Sequence, residues 1–148
     1  MVHALEKIRR LLKSDGQLID IQPIRTAPFI KVYQGRKLLF SESDPGYDYD
    51  MDLQHAGDAL DDVVRRGLFL IEGNGEFDLI TYASSVANLR DFWKKVNAYD
   101  DSPKEEAAAT RQDEMYARAD AIMRSNEGGE VAYHEKARIT RLKPNSMG

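Results

Sequence analysis

The chain has 148 residues, no cysteine and a formal net charge of −4, with 42% apolar and 31% charged residues. That is the composition of a folded globular protein, and the length sets one domain as the default. It excludes disulfides, thiolate metal sites and a cysteine nucleophile, and it argues against nucleic acid as a partner for want of a basic face. No stretch approaches the roughly 20 apolar residues of a membrane span, and the start lacks the long apolar core of a signal peptide. The expected compartment is cytoplasmic, with no membrane partner.

Leu5, Ile8 and Leu12 recur at helical spacing with Leu11 beside them, so the chain opens on an amphipathic helix. Lys7, Arg9, Arg10 and Lys13 crowd its last turns, where cations face the negative end of the helix dipole, and Asp15-Gly16 supplies the break. Leu18 to Ile21 is too short and too apolar for another helix and reads as a buried strand of the parallel type. Phe29 to Tyr33 and Lys37 to Phe40 flank Gln34-Gly35-Arg36, a β-hairpin in which Gly35 takes the positive φ. An acidic stretch with a turn at Pro45-Gly46 leads to a helix from Met51 or Asp52, whose Leu53, Ala56, Leu60, Val63 and Val64 share a face. Gly67 ends it.

Two strands, Leu68 to Glu72 and Glu76 to Ala83, are expected next, joined by a turn at Asn74-Gly75. Ser84 or Ser85 caps a helix carrying Val86, Leu89, Phe92, Trp93 and Val96. Ser102-Pro103-Lys104-Glu105 has capping-box spacing and opens a helix to about Arg124. Its apolar positions (Ala108, Met115, Ala119, Ile122) are sparse, which places it on the surface or across a partner. Gly128-Gly129 stops it, and Val131 to Leu142 forms the last strand.

His3, His55 and His134 are widely spaced and show no metal-ligand pattern. The carboxylates of Tyr47 to Asp52 lack the spaced ligands and turn glycine of a calcium loop and read as a helix-capping stretch. Ser84-Ser85 has no glycine elbow around it. Asp20 and Gln22 stand at the carboxyl end of their strand, where open α/β sheets gather ligands. With Tyr33 and His55 they are the candidate ligand or interface residues. No catalytic and no metal-binding residue is assigned.

The segment LLKSDGQLIDIQP resembles the "LKPGG-strand" segment that carries the fifth strand of the Rossmann-like S-adenosylmethionine-dependent methyltransferases, with Ser14 for proline and Asp15 for glycine. Asp58 to Phe69 resembles that family's helix ending in "GF" before its sixth strand. Ser84 to Trp93 and Val131 to Pro144 are similar to the remainder, up to the family's antiparallel seventh strand. The resemblance implies residues 1–142 as a single methyltransferase-like half domain with a flexible tail at 143–148. It implies an α/β or α+β fold: a mixed sheet of about three to five strands with four helices, in the order α-β-(β-hairpin)-α-β-β-α-α-β. The family's glycine-rich cofactor turn has no counterpart. Gly73-Asn74-Gly75 joins strands rather than opening a helix, and Asp44-Pro45-Gly46 is a turn rather than the family's aspartate-proline substrate motif. No S-adenosylmethionine-binding residue carries over.

The expected function is therefore a methyltransferase-fold remnant that does not methylate alone and acts as a homo-oligomeric binding or assembly module. Its strand at Leu18 to Ile21 would be left with an open edge, a template for another chain. That edge is expected to be covered by a second copy in a homodimer, by the chain's own long helix, or by a complementary methyltransferase half. Two alternatives stand beside this. One is a subunit of a split methyltransferase that binds S-adenosylmethionine only when a partner completes it. The other is a small-ligand module lined by Tyr33, Asp20 and Gln22. A truncated reading frame of a longer gene would also account for the start.

Overall fold

The computed structural model describes residues 1–47, 51–98 and 105–145, with residues 51–53 described in their backbone alone. Its elements are α1 (Val2–Leu11), β1 (Leu18–Pro23), β2 (Phe29–Gln34), β3 (Lys37–Ser43), α2 (Met51–Arg65), β4 (Phe69–Ala83), α3 (Val86–Val96), α4 (Glu106–Arg124) and β5 (Gly129–Pro144). The fold is α+β, with four helices and one antiparallel sheet of five strands among the described residues. The chain divides into two compact units: Met1–Arg25 with Tyr49–Phe77 and Lys136–Gly148, and Thr26–Asp48 with Asp78–Glu135. Each has its own core.

In the first unit α1 lays Leu5 against α2, where Ala59, Leu60 and Val63 form the facing stripe, and Phe69 and Leu142 complete the buried cluster. The helix ends sooner than Asp15-Gly16 suggests. Leu12 already takes an extended conformation (φ −72°, ψ 138°), which lets its side chain join this cluster while Leu11 stays 84% exposed. Arg9 serves as more than a solvated cation: its guanidinium donates to Leu68 O at 3.1 Å and to Asn145 O at 3.0 Å. At the end of α2, Gly67 N–H donates to Val64 O and Leu68 N–H to Val63 O, both at 2.9 Å, with Gly67 at φ +71°. This is the paired bonding of a glycine-terminated helix, and it turns the chain into β4.

Strand β1 pairs antiparallel with β5, Leu18 opposite Leu142 through Pro23 opposite Ala137. The expectation of a parallel-type strand is thus corrected, because the last strand of the chain, not an earlier one, supplies its ladder. Residues directly opposite one another share a face. Leu18 and Leu142 accordingly point into the core, and Ile19, Ile21, Ile139 and Arg141 point away from it.

In the second unit the hairpin forms as its turn residues dictate, Gly35 at φ +58°. A register shift between Val32 and Tyr33 sets Val32 opposite Phe40 and Tyr33 opposite Leu38. Strand β2 also pairs with β5, Phe29 opposite His134 through Gln34 opposite Gly129. The inward residues Ile30, Val32, Val131 and Tyr133 meet Val86 and Leu89 of α3 and Met115, Tyr116 and Ala119 of α4. Ser85 caps α3, its hydroxyl accepting from Asn88 N–H at 3.1 Å. Helix α4 lies on the surface as its sparse apolar positions suggest, burying only Met115, Tyr116 and Ala119 and leaving most of its other residues exposed. The capping residues Ser102 to Lys104, like Asp48 to Asp50 before α2, lie outside the described residues.

Residues 69–83 form one strand, not two. Among the described residues no non-glycine residue and only Gly35, Gly67 and Gly128 have positive φ, so Asn74-Gly75 is extended rather than turned. The competing interaction is β5, which runs from Gly129 to Pro144, longer at both ends than Val131 to Leu142. Strand β4 pairs with this long strand, and non-local pairing overrides the local turn signal.

Candidate functional site

The first unit concentrates unpartnered groups along β1. Among the described residues β1 pairs with β5 and with no other strand. Ile24 N–H donates to Lys136 O at 2.9 Å. In an antiparallel ladder bonding alternates, so Gln22, Asp20 and Leu18 also turn their backbone groups toward β5, while Ile19 and Ile21 turn theirs toward the open edge. The same two residues are 49% and 57% exposed, beside Ile139 at 37%. An edge with free backbone groups and isoleucine side chains is a docking template.

Asp20 and Gln22 lie on the opposite face of β1. Gln22 Nε2 donates to Asp20 Oδ1 at 3.0 Å, and Asp20 Oδ2 is buried with no hydrogen-bond partner. Thr140, opposite Asp20 on β5, is 3% exposed. Gln22 also lines a cleft of about 320 Å3 with Pro23, Arg25, Arg138 and, from α2, Gln54, Gly57, Asp58 and Asp61. Arg25 Nη1 donates to Gln54 Oε1 at 3.1 Å across it. The guanidiniums of Arg25 and Arg138 balance the carboxylates of Asp58 and Asp61, so the cleft suits a small polar or zwitterionic molecule rather than a strong anion. His55 lies outside this lining, exposed on α2. The cleft residues of α2 fall at Gln54, Gly57, Asp58 and Asp61, a polar stripe at helical spacing that the sequence displays. Arg25 and Arg138 carry no local signal, since their meeting depends on the β1–β5 register.

Tyr33 belongs to the second unit. Its hydroxyl lies 3.2 Å from His134 Nε2, with ring centroids 5.8 Å apart. Burial first, then Lys31, lowers the His134 pKa below its ordinary 6.5, against the opposing effect of Asp78. In the same unit Asp44 is 5% exposed. Its carboxylate accepts from Gly46 N–H at 2.8 Å and from Gln112 Nε2 at 2.8 and 2.9 Å. The Asp44-Pro45-Gly46 turn is thereby tied to α4. Burial, helped by Asp44, pushes the Tyr116 hydroxyl up to about 12 and raises that of Tyr133 as well. Both are neutral hydrogen-bonding groups at ordinary pH, not bases.

No helix among the described residues is long and apolar enough to cross a membrane. Comparison with protein-family models, with curated proteins and with solved structures finds no match for the chain.

Proposed function

We propose that the protein is an assembly module that associates with a second copy of itself through the open edge of β1, and that it does not transfer methyl groups alone. The observation that carries this reading is the edge itself: outward backbone groups on Ile19 and Ile21, with both side chains about half exposed beside Ile139. A self-complementary edge closes most simply about a two-fold axis. Light scattering during size exclusion tests it. The expected mass is that of a dimer, reduced to a single chain by Ile21→Lys without loss of helical signal. A stable single chain at all concentrations contradicts it.

A second reading, a subunit of a split S-adenosylmethionine-dependent methyltransferase, is supported by the order of elements in the first unit. Strands β1 and β4 both run antiparallel to β5 and so run the same way as each other, with α2 between them in sequence. The final strand is reversed, as the family resemblance requires. On this reading S-adenosylmethionine binds only a complex with a partner that carries a glycine-rich turn. Titration calorimetry that detects the cofactor on the lone chain would contradict both readings. The polar cleft favours a small-ligand role instead, and a thermal-shift screen in which a zwitterionic metabolite raises the melting temperature of the lone chain would support that role.

A further inference from the structure

The cleft of the first unit keeps opposite charges apart. Asp58 and Asp61 stand on its α2 wall and Arg138 on its β5 wall. Among the described residues none of the three has an ion pair or a hydrogen bond through its side chain. Arg25, the other guanidinium there, is engaged, its Nη1 donating to Gln54 Oε1 at 3.1 Å. Elsewhere in this unit charges within reach close up, Asp62 with Arg65 and Arg66, and Arg66 with Glu6. Those of the cleft stay open, with about 320 Å3 of space between the walls that carry them.

Gly57 lies in the same stripe of α2. Glycine inside a helix costs stability relative to alanine, and one of its uses is to let a neighbour come close. No neighbour in the protein does so, since a Cβ added at Gly57 meets no atom within 4 Å. Its φ is not positive, so no turn requires it either. What the missing side chain leaves is room in the cleft, beside two unpaired carboxylates. Close approach of a ligand to the backbone is a role that fits such a glycine.

We infer that this cleft binds a small zwitterion with its charges at opposite ends, the cationic group on Asp58 and Asp61 and the carboxylate on Arg138. The inference rests on the ligand role of the cleft, names the chemistry that fills it, and does not depend on self-association. Residues three apart on a helix are neighbours, with Cβ atoms roughly 5–6 Å apart. One ammonium, with three N–H donors, therefore serves both carboxylates. The planar guanidinium of Arg138 offers a carboxylate two parallel donors. A plain anion meets Asp58 and Asp61, and a plain cation meets Arg25 and Arg138; a molecule carrying both charges satisfies both walls. All four charged side chains are exposed, so affinity is modest, on the order of millimolar, and falls as salt rises.

Three probes of matched length separate the charges. γ-Aminobutyrate carries both, butyrate only the anion and butylamine only the cation. Titrated into isotope-labelled protein at low salt, γ-aminobutyrate is expected to shift the backbone amide signals of Gln54, Gly57, Asp58, Asp61 and Arg138. It is expected to bind at least about tenfold more tightly than either single-charge probe. Variants read the two ends. Asp58→Asn combined with Asp61→Asn leaves γ-aminobutyrate no better than butyrate, and Arg138→Gln leaves it no better than butylamine. Gly57→Leu fills the cleft and removes binding without lowering the melting temperature. If butyrate or butylamine binds as tightly as γ-aminobutyrate, the cleft takes ligands but the zwitterion inference is overturned. If no probe shifts these amides at concentrations on the order of tens of millimolar, the ligand role of the cleft falls with it. Shifts that persist unchanged in Gly57→Leu place the site elsewhere and also overturn the inference.

Discussion

Gly57 sits in the middle of α2, and a methyl group added there meets nothing within 4 Å. Glycine in a helix interior costs roughly 0.5–1 kcal/mol relative to alanine. Gly57→Ala is expected to raise the unfolding free energy by about 0.5–1 kcal/mol, read as a higher melting temperature, and a lower one would mean that the cleft wall is not open as described. Ser85 is the opposite case, a residue whose side chain closes a helix end. Ser85→Ala is expected to cost about 1 kcal/mol in urea unfolding. Asp44 carries more: Asp44→Ala strands both Gly46 N–H and the Gln112 amide, a loss on the order of 1–3 kcal/mol, while Asp44→Asn keeps an acceptor and should lose less. His134 supplies a pH signature. Its folded pKa lies below 6.5, so the unfolded chain protonates first as pH falls, and stability is lost below 6.5 toward the folded value. An NMR titration with a midpoint at or above 6.5 would refute the burial on which this rests.

Elements were legible where their cause is local. The Leu5–Ile8–Leu12 spacing, the Gly35 turn, the Gly67 stop and the Ser85 cap each act over a few residues, and each appears in the structure. Asn74-Gly75 is the instructive failure, because whether it turns is decided by a strand more than fifty residues later. Amide exchange can check this: protection of alternate amides that continues along β4 past Asn74 supports one strand, and a stretch around Asn74-Gly75 with no protected amide supports two. The parallel reading of β1 failed for the same reason, its partner being the last strand rather than a neighbour. Helix α4 was legible as a surface helix, and its narrow stripe of Met115 and Ala119, with Tyr116 added, is the face that meets the core. At the candidate site, Asp20 and Gln22 were visible as polar residues ending a strand, and their mutual hydrogen bond follows from their shared face. Arg138 was not, since only the β1–β5 register brings it to the cleft.

Two separate cores organise the chain, one around Phe69 and Leu142 and one around Ile30, Leu89 and Met115. Strands β4 and β5 contribute to both units, so neither core is built from a single run of sequence. What the first unit leaves undone is a strand edge, and the account of function depends on another copy of the chain supplying the missing ladder. The amides of Ile19 and Ile21 report on that edge residue by residue. Their hydrogen exchange should be fast in dilute protein and slow as concentration rises, while the amides of Asp20 and Gln22, already bonded to β5, stay protected throughout. Fast exchange at Ile19 and Ile21 in a sample shown to be dimeric would place the contact elsewhere and contradict the account.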